Sequence, residues 1–122
     1  MSDAEGVRVI IVEDEPLLLM EMEDMLADAG YVVAGTATRT TAALELAAAA
    51  DFDVALLDMN LGGERVDAVA QRIADRGLPI IFVTGYGARP PPFGIEAAVV
   101  DKPCTPAKLL PLLDRVRERP RG

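Results

Sequence analysis

Apolar and polar positions alternate along this chain in blocks rather than singly. Val9-Ile10-Ile11-Val12 runs into Glu13-Asp14, Val54-Ala55-Leu56-Leu57 into Asp58, Ile80-Ile81-Phe82-Val83 into Thr84, and Ala97-Ala98-Val99-Val100 into Asp101-Lys102-Pro103. Short apolar runs unbroken by polar residues are the pattern of parallel strands buried on both faces. Between them the period changes to that of helices. Pro16 suits a first helical turn, Leu18, Met22, Met25, Leu26 and Ala29 follow at helical spacing, and Gly30 closes the segment, predicting a helix over 16–29. A strand over 31–35 and a helix over about 40–50 follow, the latter opened by a threonine-rich cap region and rich in strong helix formers. After the strand ending at Asp58 comes a loop containing Gly62-Gly63. A helix over about 66–76 then turns Val66, Val69, Ala70 and Ile73 inward and stops at Gly77. Pro79 opens the next strand, and Thr105-Pro106 starts a last amphipathic helix bearing Leu109, Leu110, Leu113 and Val116. Strict strand–helix alternation with short connections predicts right-handed crossovers and a parallel sheet covered by helices on both faces. One unit breaks the pattern. Residues 85–94 hold three consecutive prolines and three glycines, so the fourth helix is expected to be absent or reduced to a turn near 93–97.

Composition narrows the function. At 122 residues the chain has room for one domain, 1–122, with short flexible termini expected at about 1–6 and 119–122. Apolar residues make up 51%, enough for a core, yet no apolar stretch approaches the roughly 18–20 residues of a membrane span. The N-terminus is acidic and does not read as a signal peptide, and a lone Cys104 suits a reducing cytoplasm. A net charge of −8 argues against a nucleic-acid face. The absence of histidine excludes Ser-His and Cys-His hydrolases, His-ligated zinc and a phosphohistidine carrier. In open α/β sheets ligands sit beyond the carboxyl ends of the strands. That edge collects Glu13, Asp14, Asp58, Thr84 and Lys102: three carboxylates, a hydroxyl and an ammonium, a set suited to a phosphoryl group with Mg²⁺ (or Mn²⁺).

In order and in context, Glu13-Asp14, Asp58, Thr84 and Lys102-Pro103 resemble the receiver domain of bacterial two-component response regulators over the whole chain. The interval from Thr84 to Lys102 is a few residues short for the family, in keeping with the damaged fourth helix. The segment Pro79-Ile80-Ile81-Phe82-Val83-Thr84-Gly85-Tyr86-Gly87 further resembles the Phe-Ala-Thr-Gly-Tyr-Gly motif of a subgroup of single-domain regulators, mostly alphaproteobacterial and often tied to stress signalling, with Val83 in place of the motif's alanine. The resemblance implies a flavodoxin-like, doubly wound five-stranded parallel sheet of order 2-1-3-4-5. It also implies a stand-alone signalling protein rather than a metabolic enzyme. A sensor histidine kinase or histidine phosphotransfer protein would pass a phosphoryl group to Asp58, and output would be by protein contacts. By family analogy Asp14 and Asp58 ligate the metal directly, Glu13 through water, and Asn60 through its backbone carbonyl. Lys102 and Thr84 hold phosphoryl oxygens, Gly85 leaves room for donor or water, and Lys102-Pro103 is expected to be cis.

Some positions depart from the family or have plainer readings. Most receivers carry an aromatic residue three positions before the lysine; here it is Val99, with no ring to swing toward Thr84. Tyr86 is the candidate replacement reporter, and packing on the sheet edge is its structural alternative. Glu13-Asp14-Glu15 before Pro16 would also serve as helix-start acids. Cys104 reads as small apolar filler where many relatives have phenylalanine, and Arg115, Arg117, Arg119 and Arg121 complement a helix dipole. Loss of helix four favours a monomer. Three other functions stand as alternatives. A phosphorylation-independent receiver would act as a binding module. A Mg²⁺-dependent phosphatase with an Asp nucleophile would want an acid two residues after Asp58, where Asn60 stands. A flavin-binding domain would not suit so acidic a phosphate loop, nor a chain without tryptophan.

Overall fold

The three most apolar runs become the three inner strands of a five-stranded parallel sheet. In a computed structural model, which describes residues 6–61, 64–85 and 98–117, the elements are β1 (Arg8–Val12), α1 (Pro16–Asp28), β2 (Val32–Ala37), α2 (Thr40–Ala49), β3 (Val54–Asp58), β4 (Asn60–Leu61), β5 (Glu64–Arg65), α3 (Asp67–Asp75), β6 (Ile80–Thr84), β7 (Ala98–Asp101) and α4 (Pro106–Arg117). The sheet order is β2-β1-β3-β6-β7, with every adjacent pair parallel. This is the doubly wound 2-1-3-4-5 order expected for the family, and the described residues contain four helices. The segment in which the fourth helix was expected to be missing, 86–97, lies outside the described residues, as do 1–5 and 118–122.

Period-two alternation divides the inner strands between two cores. Ile10, Val12, Ala55, Leu57, Ile80 and Phe82 face α2 and α3, where Ala43, Ala47, Val69, Ala70 and Ile73 close over them. Val9, Ile11, Val54, Leu56, Ile81 and Val83 face α1 and α4, meeting Met22, Leu26, Leu109 and Leu113. Strands buried on both sides have no surface to lend to polar residues, so polarity is displaced to their ends. On α1 the stripe leaves Leu17 and Met20 exposed. Among the described residues every buried side-chain polar atom has a partner, and no helix is long and apolar enough to cross a membrane.

Local differences from the expected elements have physical causes. Strand β2 runs to Ala37, beyond the predicted 31–35, because its register against β1 slips between Val9 and Ile10 and carries Gly35 opposite Ile10. A Cβ at Gly35 would lie 2.5 Å from Cδ1 of Leu46, so glycine lets α2 settle this close to the edge strand. The threonines do not cap α2. Its N-cap is Arg39, in extended conformation with no side-chain capping bond, and Thr40 and Thr41 already lie inside the first turn. The stretch read as a loop after Asp58 contains a small antiparallel hairpin, Asn60 pairing with Arg65 and Leu61 with Glu64.

The far end of α2 is closed by a residue from another helix. Arg76, at the C-cap of α3, donates through Nη1 to the carbonyls of Ala47 (2.7 Å) and Ala50 (3.0 Å). Its guanidinium also lies 4.9 Å from the Phe52 ring centroid. One side chain thereby satisfies two helix-end carbonyls and stacks on a core aromatic. Arg76→Ala is expected to cost about 1–2 kcal/mol, read as a lower urea midpoint with unchanged slope, and Arg76→Lys to recover only part of it. A midpoint unmoved by Arg76→Ala would remove this account of how α2 and α3 are joined.

Candidate functional site

The sheet order reverses direction between β1 and β3, and a crevice opens beyond their carboxyl ends where outgoing and returning connections part. Glu13 and Asp14 emerge from β1, and Asp58 is the last residue of β3. Carboxylate oxygens from all three lie within 4.8 Å of one another. Glu13 is only 1% exposed and Asp58 only 4%. Glu13 is pinned at both ends: its backbone N–H donates to the Ala37 carbonyl (3.0 Å), and its Oε2 accepts from the Glu15 N–H (3.2 Å).

Lys102, just past β7, reaches this cluster from across the sheet. Its Nζ donates to Asp58 Oδ2 at 3.1 Å and stands 3.8 Å from Glu13 Oε1. Burial disfavours the charge on Lys102, but the hydrogen bond and attraction of Asp58, joined by Glu13 and Glu15, outweigh it and hold the ammonium above its ordinary range. Burial pushes Glu13 up from 4.5 to about 8, and the adjacent Asp58 carboxylate adds to the rise, against which the Glu15 N–H and Lys102 are too weak. One ammonium does not neutralise three carboxylates. Such a cluster is relieved either by a proton on Glu13 or by a cation, and an all-oxygen donor set with two nearly buried carboxylates fits a hard divalent ion such as Mg²⁺.

Thr84 ends β6 at 3% exposure. Val83 pairs with Asp58 on one side, and Thr84 pairs with Asp101 on the other. The Thr84 hydroxyl donates to Asp101 Oδ1 (3.2 Å), and the Lys102 N–H donates to the Thr84 carbonyl (2.7 Å). Gly85 has open space where a Cβ would be. The Lys102–Pro103 peptide is cis, as expected. The expected set of Glu13, Asp14, Asp58, Thr84 and Lys102 therefore does converge on one edge. Asn60 follows in β4, paired through its backbone with Arg65. Val99, in β7 opposite Phe82, is exposed. Tyr86 lies outside the described residues. The residue that sequence reasoning missed is Asp101, whose partner is set by register alone; a carboxylate in an otherwise apolar strand end was the available signal.

Beside the site, a mainly apolar groove of about 820 Å³ runs between α1 and the start of α4, lined by Leu18, Met22, Met25, Pro103, Cys104 and Pro106 together with the acidic Glu21, Asp24 and Asp28 of α1. Cys104 packs against the α1/α4 core, and burial pushes its thiol up, which keeps it unreactive and agrees with a filler role.

Comparison with known proteins bears on this arrangement. A family model described as the response regulator receiver domain matches residues 9–114. The phyllosphere-induced regulator PhyR of Methylorubrum extorquens is 32% identical over 113 residues, covering 85% of this chain, which spans only 41% of that relative's length. Among solved structures, SdrG from Sphingomonas melonis Fr1 superposes with a TM-score of 0.78 at 34% identity, covering 95% of this chain and 98% of that one. The receiver domain of the Erythrobacter litoralis PhyR response regulator does so with a TM-score of 0.77 at 30% identity and 99% coverage of both.

Proposed function

Since the chain belongs to the response regulator receiver family, a signalling module of two-component systems, we propose that it takes a phosphoryl group from a histidine kinase or histidine phosphotransfer protein onto Asp58. The carrying observation is the setting of that carboxylate: nearly buried, held by Lys102 at 3.1 Å, and crowded by Glu13 and Asp14. An Asp58 oxygen attacks phosphorus, and the bond from phosphorus to the donor's imidazole nitrogen breaks. Its electron pair returns to the ring, which takes up a proton. Lys102 holds one phosphoryl oxygen as a point charge and Thr84 donates its hydroxyl to another, while the open space at Gly85 admits the donor. The groove between α1 and α4 offers that partner an apolar footing next to the acceptor.

Glu13, Asp14 and Asp58, with the Asn60 carbonyl by family analogy, would hold Mg²⁺. The ion, when bound, supplies positive charge that lets an anionic nucleophile and an anionic phosphoryl group approach. The test is intact mass after incubation with acetyl phosphate. Wild type with Mg²⁺ is expected to gain one phosphoryl mass, and Asp58→Asn none. A wild type that gains nothing, or an Asp58→Asn variant that gains it equally, refutes the assignment. Turnover of a generic phosphomonoester would instead point to a phosphatase.

A further inference from the structure

A threonine hydroxyl has one proton to give. In this structure Thr84 gives it to Asp101, across the β6–β7 pair that sets the two residues opposite each other. The next residue, Lys102, binds the Thr84 carbonyl through its N–H and Asp58 through its Nζ. Two consecutive residues at one strand end therefore hold the hydroxyl and the carbonyl of Thr84 and the carboxylate of Asp58. When Thr84 serves a phosphoryl oxygen on Asp58, the Asp101 bond has to break. We propose that Asp101 is the resting acceptor of the Thr84 hydroxyl, a positioning residue that competes with the phosphoryl group for one proton. The inference rests on the reading of Asp58 as phosphoacceptor.

Relative strengths decide the direction of the competition. The Asp101 bond is long for a hydroxyl on a carboxylate, whose usual separation is about 2.7 Å, and Asp101 is exposed, so water readily takes the vacated place. A phosphoryl group in the nearly buried pocket offers three oxygens that share about two negative charges, with less competition from solvent. The phosphoryl group wins, and Asp101 sets how easily. The loser is then a carboxylate freed at the end of an edge strand, beside the start of α4, where Lys108 donates to the Asp101 carbonyl (3.3 Å). Occupancy of Asp58 thus changes a charged group at the surface, a readout that needs no ring at Val99. The plainer role for Asp101, a charge that discourages other chains from pairing with an edge strand, requires no bond to Thr84.

The experiment measures beryllofluoride affinity, with Mg²⁺, for wild type, Asp101→Asn and Asp101→Ala, each with Thr84 intact and with Thr84→Ala. With Thr84 intact, Asp101→Ala is expected to tighten binding about 3–10-fold, and Asp101→Asn, which keeps an acceptor oxygen, to tighten it less. In the Thr84→Ala background the Asp101→Ala effect should shrink to within about twofold. Equal tightening in both backgrounds would make Asp101 a distant charge and overturn the inference, as would no tightening at all. A second readout does not depend on Asp58 chemistry: three-bond couplings of the Thr84 methyl in the ligand-free protein should show one rotamer in wild type and averaging in Asp101→Ala. An unaveraged rotamer in Asp101→Ala overturns the hold itself. A wild type that neither binds beryllofluoride nor gains phosphoryl mass overturns the reading of Asp58, while the couplings still judge Asp101.

Discussion

Lys102→Met is expected to slow phosphoryl gain at Asp58 by roughly 10²-fold, the scale for removing one preorganised donor from developing anionic charge. Lys102 pairs with both Glu13 and Asp58. Methionine keeps the length and apolar stem of lysine and removes the charge, so a lost rate reports charge rather than shape. Stability should change too. An uncompensated buried charge is costly, but Lys102 is 26% exposed and water takes part of its role, so the expected loss is about 1–3 kcal/mol without metal, below the full figure for a buried pair. That loss should depend on pH. Glu13 can take a proton and relieve the crowding, so Lys102→Met should be hurt more at pH 9 than at pH 6. Lys102→Arg should restore most of the stability but little of the rate, because a planar fork does not occupy the position of a compact ammonium. Mass-resolved time courses and urea midpoints at the two pH values measure all of this. A wild-type rate in Lys102→Met would remove Lys102 from the chemistry.

The second large effect comes from the carboxylates themselves. Glu13 titrates at about 8 in the folded chain against an ordinary 4.5. Between those values the folded state holds more protons than the unfolded one, so metal-free protein loses stability as pH rises. The contribution is fully present below about 4.5 and disappears as pH rises through about 8. The slope from this group is at most ~1.4 kcal/mol per pH unit. Melting in EDTA should therefore come at higher temperature at pH 6 than at pH 8.5. Magnesium favours the ionised carboxylates, so it should flatten that slope and stabilise most at the alkaline end, by about 2.7 kcal/mol at a hundredfold excess over its dissociation constant. Glu13→Gln should abolish the slope in EDTA. A flat EDTA profile in wild type, or a slope that survives Glu13→Gln, contradicts this account of the cluster.

The inner strands and their polar terminators were legible in the chain because burial on both faces leaves nowhere else for polarity. Val54 to Leu57 cannot admit a charge without breaking one of the two cores, so Asp58 marks both the end of a strand and a place in the site. Edge elements were less legible. Strand β2 is alternately exposed and half-buried, and its true extent depends on the slip that seats Gly35 under Leu46, a long-range contact invisible to local pattern. The start of α2 at Thr40 was legible, but its cap was not, because two threonines carry the chemistry of a cap without occupying its position, which falls to Arg39. Asp101 was visible as a residue and silent as a function. Only the pairing of β6 with β7 makes it the partner of Thr84, and nothing within either segment encodes that register.

The division of the interior into two cores has a consequence for how such a protein can diversify. The reactive edge is anchored by strand ends whose side chains are committed to packing, whereas Leu17 and Met20 on α1 project away from both cores. Substitutions at those outward positions alter neither the placement of Asp58 nor the reach of Lys102. Descendants of one gene could therefore exchange partners by small surface steps while inheriting the same chemistry unchanged, and the barrier to rewiring lies in recognition rather than in folding.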